Sequence, residues 1–329
     1  MAPAKTKFRT VALIVGAAMF MEQLDGTVLA TALPSMAREL GVSAPSMSIA
    51  LTSYLISLAI FIPVSGRIAD RFGARTVFRN AIIVFLLGSI ACAWASNIYF
   101  LVAARSIQGV GGALMLPVGR LVLNRSVEKR DLISATSWVL VPAVVGPMVG
   151  PPLGGFIVTY FNWRWIFYLN IPIGLIGLVL ASRFIKEIKG EKPAPTDFGG
   201  FVLSGVALSG LLFGFEMLSR SGEEMLSIGL LTLGVVAGAL YIRHARRREH
   251  PILDLSLLKT PTFRLSFVAG SLTRIGQGAQ PFLLPLMLQV GFGMSAAASG
   301  TITLANAAGA VVMKGLAPKL LRRFGFRQS

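Results

Sequence analysis

Cysteine and histidine are nearly missing from this chain: Cys92 is the only thiol, and His244 and His250 are the only imidazoles in 329 residues. One cysteine closes no disulfide within a chain and supplies no cluster of thiolate ligands. The two histidines share a strongly basic connection, where solvation is expected rather than metal binding. There is no metal-binding histidine pair, no phosphate-cradling glycine loop and no nucleophile–histidine arrangement, so an enzyme is not expected. Charge is scarce as well. Only 14% of residues are Asp, Glu, Lys or Arg, against about 25% in ordinary soluble domains.

What fills the chain instead is apolar: 54% of residues are hydrophobic, and the mean hydropathy is +0.72. These residues fall in ten blocks, at about 11–33, 47–65, 77–96, 98–120, 134–160, 164–184, 198–217, 225–242, 265–290 and 296–314. Roughly 20 apolar residues span a bilayer core as helix. A helix in lipid satisfies its own backbone hydrogen bonds, so the reading is an all-α polytopic membrane protein.

The net charge of +17 is not a nucleic-acid signature, because its distribution follows the blocks. Of 31 Lys and Arg, 26 lie in the N-terminal tail, in every second connection and at the C-terminal end. The opposite connections hold Arg38, Arg164 and Arg220, while Arg105 and Arg274 fall inside blocks. This positive-inside bias predicts cytoplasmic termini, a multi-pass chain in the cytoplasmic (inner) membrane and an even number of spans. The first block follows Lys5, Lys7 and Arg9 but is long, carries Glu22 and Asp25 and lacks a clear small-residue cleavage site, so it is read as a retained span.

Organisation follows the blocks. Residues 1–185 form a six-helix bundle, 186–242 a polar linker and two further spans, 243–264 a basic connection, and 265–329 the start of a second bundle. Within the basic connection, Pro251 to Leu258 spaces apolar side chains at helix-like intervals, predicting a segment along the membrane interface. The charged stretch from Gly66 to Arg75 is echoed from Gly315 to Arg327, implying two related halves.

Ionisable residues inside apolar blocks carry the functional expectations, because burying them is costly. Glu22 and Asp25 share a face of the first helix and could exchange a proton for a cationic ligand; the alternative is that they pin helix packing. Arg105, in the fourth block, cannot lose its proton and needs acceptors, for which Asp25 and Gln108 are candidates. Gly109, Gly111 and Gly112 permit close helix approach. In the fifth block Gly146, Gly150 and Gly154 form a stripe beside Gly155, Pro147, Pro151 and Pro152, which suits a moving interface between bundles or close static packing. Asp70, with Gly66, Arg71, Gly73 and Arg75, is expected to meet a positive helix end and act as a gate, or to serve topology alone. Arg274 and Gln277 are candidate cavity-lining residues in the ninth block. Glu216 is expected near an interface.

At these residues the chain resembles the major facilitator superfamily, specifically its fourteen-helix drug:proton antiporter branch. Leu24 to Pro34 is similar to that branch's first-helix motif, Gly66 to Arg75 to the superfamily's loop 2–3 motif, and Arg105 to Gly112 to its fourth-helix motif. Gly146 to Gly155 resembles the fifth-helix antiporter motif, and Trp163 to Gly174 another branch hallmark. The resemblance implies export of drugs or other amphipathic molecules against protons. It implies Asp25, Arg105 and Glu22 in coupling, Asp70 in the gate, no cofactor beyond the proton gradient, and lipid, protons and a small-molecule substrate as partners. It leaves open a periplasmic adaptor and a dedicated metabolite, such as an amino acid or siderophore, as cargo. Two departures stand out. Ala74-Arg75-Thr76 is less basic than the usual end of the loop 2–3 motif. Family members also carry four helices beyond the second charged turn, so the expectation is a C-terminally truncated chain, with a non-transporting membrane protein as the further alternative.

Overall fold

A computed structural model describes residues 3–43, 45–128, 131–187, 189, 195, 197–218, 222–305, 308–309 and 316. Its helices are α1 Pro3–Leu40, α2 Ser48–Phe72, α3 Ala74–Ala93, α4 Ile98–Ser126, α5 Leu132–Tyr160, the single turn α6 Trp165–Tyr168 and α7 Asn170–Phe184. They continue with α8 Phe198–Leu218, α9 Glu224–Ala245, α10 Pro261–Leu286 and α11 Ala296–Ala305. Among the described residues eight segments are long and apolar enough to cross a membrane, α6 and α7 together making one. The ninth block is one continuous helix, α10, with Arg264, Arg274, Gln277 and Gln280 diluting its apolarity. The tenth is described through Ala305, and Arg220 and most of the second charged turn lie outside the described residues.

Two apolar clusters fill the first bundle. One, around Val15, Phe78, Phe85 and Val118, lies toward the α2–α3 junction. The other, around Leu29, Met36, Trp163 and Phe167, lies toward the opposite face. Small residues set the helix spacing. A Cβ on Gly109 would meet Ser57 Cβ at 2.6 Å on α2, and one on Gly111 would meet Ala81 O at 2.7 Å on α3. Glycine thus lets α4 touch two neighbours at backbone distance.

The hairpin of α8 and α9 is fastened to α2. Phe61 meets Phe201 edge to face at 5.4 Å. The Glu216 carboxylate, at the far end of α8, accepts from the Ser48 and Thr52 hydroxyls. Asp197 caps α8 by accepting from Gly200 N at 2.9 Å, and His244 Nε2 lies 2.7 Å from the same oxygen. His244 is therefore a paired residue, not the solvated one expected from its basic surroundings. The connection after α9 also differs from the expected interfacial helix. Only residues Leu255–Lys259 turn helically, because Tyr241 Oη clasps Leu253 through both its N–H and its carbonyl. Arg67 Nη2 donates to His250 O at 3.1 Å and to Pro251 O at 2.6 Å.

Burial pushes the Asp197 carboxyl up, but the Gly200 N–H, His244 and Arg248 outweigh it and hold the group below its ordinary value. A depressed carboxylate stabilises the fold above the unfolded-state value of about 3.9, and that contribution disappears as pH falls through the lower, folded value. Acid melts of the protein should show this loss, and Asp197→Asn should lessen the dependence in that window.

Candidate functional site

Where the two apolar clusters meet, a polar network is sealed among α1, α3, α4 and α7. Asp25 is 2% exposed and Arg105 and Gln108 are fully buried. Arg105 Nη1 donates to Asp25 Oδ2 and to Gln108 Oε1, both at 2.6 Å, and its Nε donates to Ala50 O at 3.3 Å. The guanidinium also stacks over Tyr54, 4.4 Å from the ring centroid. Gln108 Nε2 donates to Asp25 Oδ1 at 2.9 Å, and Asn170 Nδ2 reaches the same oxygen at 2.8 Å. Both amides also donate to Ser89 Oγ, at 2.8 and 3.0 Å. The Asp25 carboxylate thus accepts three bonds, one of them charge-assisted, which is what a buried ion pair needs to offset its desolvation. Two donors are left over: Arg105 Nη2 and Tyr54 Oη are buried without a hydrogen-bond partner.

The pairing of Asp25, Arg105 and Gln108 matches the sequence expectation. Asn170 and Ser89 were missed there, since a neutral amide and a hydroxyl raise no alarm in an apolar block. Glu22, one turn from Asp25, is only half-buried and makes no hydrogen bond or ion pair among the described residues.

The first charged stretch is less of a turn than its composition implied. α2 runs on through Gly66, Asp70 and Arg71 to Phe72, and only Gly73, with φ of +98°, breaks the helix. Asp70 does not meet a helix N-terminus; its Oδ1 accepts from Arg125 Nη2 at 2.7 Å, tying α2 to the last turn of α4. The positive helix end in this region is that of α3, and its anion is Glu187. That carboxylate accepts from Arg75 N at 3.1 Å and Thr76 N at 3.2 Å. It also occupies the space beside the Gly73 Cα, so any side chain there would collide with it. The Arg75 guanidinium donates to Ser182 O, while Arg71 is exposed. Glu187 escaped sequence reading because it lies among linker charges. Removing it in Glu187→Ala should cost about 1 kcal/mol of stability, as for other helix-cap losses, measurable by thermal melting in detergent.

The glycine stripe of α5 makes its described contacts as close packing on α1. Gly146 faces Phe20 and Gln23, Gly150 faces Thr27, and Gly154 faces Val28 and Thr31, all on α1 within the same bundle. Helix α5 stays continuous through Pro142, Pro147, Pro151 and Pro152. The small side of α5 that meets the second half is Gly155 with Pro151 and Pro152, packed on Ala296, Ala297 and Gly300. Thr159 Oγ1 accepts from Ala297 N at 3.1 Å, and Gln289 Nε2 donates to Thr31 O at 3.1 Å. Beside these contacts lies a cleft of about 650 Å³ lined by Arg38, Thr159, Gln289 and Ser295. Arg274 and Gln277 are exposed on α10 and line no cavity among the described residues, and α10 packs on α1 through its later turns. On the same face as the cleft, Trp163 Nε1 and Arg164 both bond Glu39, and Arg164 Nη2 reaches Ala95 O at 3.0 Å, stapling three segments.

Known proteins resemble this chain in sequence and in fold. "Probable transport protein HsrA" of Haemophilus influenzae is 40% identical over 321 residues, covering 97% of this chain and 69% of that protein. "Putative multidrug resistance protein MdtD" of Citrobacter koseri is 39% identical over 316 residues, covering 96% and 67%. Among solved structures, a peptide transporter POT in complex with sulfate has a TM-score of 0.70 at 15% identity, covering 97% of this chain and 70% of that one. A D-xylose-proton symporter has a TM-score of 0.66 at 15% identity, covering 96% and 69%. At such identities these two speak for the fold alone. The sequence model of the Major Facilitator Superfamily matches residues 15–329. With nearly its whole length matched in this way, the chain belongs to the Major Facilitator Superfamily and is a multi-pass membrane transporter.

Proposed function

We propose that this transporter is a proton-driven antiporter that exports drugs or other amphipathic small molecules across the cytoplasmic membrane, with both termini of the chain in the cytoplasm. The observation that carries the reading is the buried Arg105–Asp25 pair, 2.6 Å apart and cross-braced by Gln108 and Asn170. Charges set mid-length in apolar helices are costly to maintain, and in transporters they mark proton or ion pathways. The α1 carboxylates are the coupling groups, and Arg105 organises them. The name of the MdtD relative, a multidrug resistance protein, supports amphipathic cargo.

Alternating access requires contacts that open at each face in turn. On the face bearing Trp163, Gly155 and its neighbours against α11 form one such contact. On the other, the Asp70–Arg125 pair and the Glu187-capped start of α3, with Arg71 and Arg75 beside them, form the rigid edge of a gate.

The test is exchange in proteoliposomes. An imposed proton gradient should drive uptake of a lipophilic drug into inside-out vesicles, and transport indifferent to the gradient would refute antiport. Orientation has its own test. A cysteine at Ser96 should react with an impermeant thiol reagent added outside the cell, and one at Lys189 should not. The buried Cys92 leaves the background unreactive. Outside labelling at Lys189 would reverse the topology.

A further inference from the structure

The α8–α9 hairpin is held to α2 near both of its ends, by Phe61 against Phe201 and by Ser48 and Thr52 on Glu216. Between these fastenings the helices stand apart. They leave a groove of about 400 Å³ walled by Ile60 of α2, Phe201, Gly205 and Phe213 of α8, and Leu230 and Leu233 of α9. Its lining is apolar apart from Ser209. Two glycines shape it. A Cβ on Gly205 would reach only ordinary contact with Ile60, at 3.5 Å, whereas Gly210 lets α9 close in until Gly234 N would lie 2.8 Å from such an atom. The space is therefore left on the α2 side of α8. From Phe201 to Phe213 it runs about 18 Å along the helix, a little over half of a hydrocarbon core of about 30 Å. An empty apolar groove forfeits the dispersion contacts of its walls, so in a bilayer this one is filled by hydrocarbon from one leaflet.

Which leaflet, and which lipid, follows from the charges at the two ends. At the Phe201 end, α9 finishes with Arg243 and His244 and runs on into Arg246, Arg247, Arg248 and His250. The three consecutive arginines are exposed. Arg67, about two turns beyond Ile60 on the same face of α2, holds the His250 and Pro251 carbonyls there and keeps Nη1 as a buried donor without a partner. The acids at this end do not balance that charge. Asp197 is occupied by the α8 cap and His244, and Glu249 stands alone among the arginines. The other end has the opposite sign, with Glu216, Glu223 and Glu224 against Arg220 alone in sequence. A basic cluster at the mouth of a pocket between membrane helices is a setting that holds acidic lipid head groups.

We infer that the groove between α2 and the α8–α9 hairpin is a binding site for one anionic phospholipid, drawn from the leaflet on the side of the basic connection. One acyl chain lies along Ile60 and Gly205, in the space the helices leave. The phosphate sits at the arginines that follow α9, Arg246, Arg247 and Arg248. The hairpin is then joined to α2 through the lipid along its middle and through side chains at its ends. The same arginines repel a cationic amphiphile, so the groove is not a second seat for such a molecule. This site lies on the outer flank of the bundle, apart from the Asp25–Arg105 network, and stands or falls independently of antiport.

The experiment is native mass spectrometry of the purified protein in detergent, offered equal amounts of phosphatidylglycerol and phosphatidylcholine with identical acyl chains, alongside thermal melting with each lipid. Wild type is expected to retain one phosphatidylglycerol about tenfold or more in preference to phosphatidylcholine, and to melt higher with it. The triple variant Arg246→Gln, Arg247→Gln, Arg248→Gln is expected to keep a lipid but lose the preference. Gly205→Phe, whose ring would fill the groove, is expected to lose the retained lipid of either kind. Should Gly205→Phe not fold, Val206→Trp decides, because Val206 lines the groove from an exposed position and its replacement removes no buried contact. Equal retention of both lipids by wild type means an unselective lipid coat and overturns the inference. So does an undiminished preference in the triple variant, or full retention in the groove variants. Inorganic phosphate that raises the melting temperature as much as phosphatidylglycerol does would place recognition outside the groove and overturn it too.

Discussion

Arg105→Ala is expected to abolish proton-driven export and to destabilise the first bundle by about 3–5 kcal/mol, the usual cost of stranding one member of a buried ion pair. The alanine would leave Asp25 sealed in an apolar junction with only two amide donors, and would leave Ala50 O and the Gln108 carbonyl oxygen without the guanidinium. Arg105→Lys should recover little. One guanidinium reaches Asp25, Gln108, Ala50 O and the Tyr54 face at once, and an ammonium is a point charge without that planar spread. Melting in detergent reports the stability loss, and proteoliposome exchange reports the function. Wild-type exchange by both variants would reduce the network to packing.

A valine at Gly150 and a valine at Gly155 should fail in different ways, although five residues separate them on one helix. A Cβ at Gly150 would meet Thr27 Cβ at 2.8 Å and Val28 N at 3.3 Å, inside the bundle. Overpacking of this kind costs about 1–3 kcal/mol or more when backbone must yield, so Gly150→Val should lower the melting temperature and transport together. At Gly155 the atoms in the way are the Ala296 carbonyl carbon at 2.9 Å and Ala297 Cα at 3.0 Å, in the second half. Gly155→Val should keep the melting temperature near wild type, slow transport, and raise the labelling of a cysteine placed at Ala297. Equal melting losses in both variants would contradict the division of α5 into an inner and an outer side.

Much of this was legible from residues alone, and what was not follows a pattern. Long apolar blocks set out the helices because lipid demands an internal hydrogen bond for every backbone group. Arg105 pointed to Asp25 and Gln108 because a permanent buried charge must find acceptors within reach. The glycine stripe announced close approach but not its partner: small residues record how near something comes, and α1 is as good a reading as another bundle. The Arg125 partner of Asp70 was not legible for a related reason. A carboxylate near a junction is satisfied by a helix end or by an arginine, and only the three-dimensional position of Arg125 decides between them. Asn170, Ser89 and Glu187 act through hydrogen bonds that no charge pattern or periodicity exposes.

The clasp between Arg67 and the carbonyls of His250 and Pro251 has a mechanical consequence. Counted along the chain, the connection from α9 to α10 is a long, slack cord. Tyr241 pins it at Leu253 and Arg67 pins it just before, so the free length shrinks to residues 254–260, most of it already wound into a turn. α10 therefore swings on a short leash whose fixed post is α2, and α8 and α9 travel with that post as passengers.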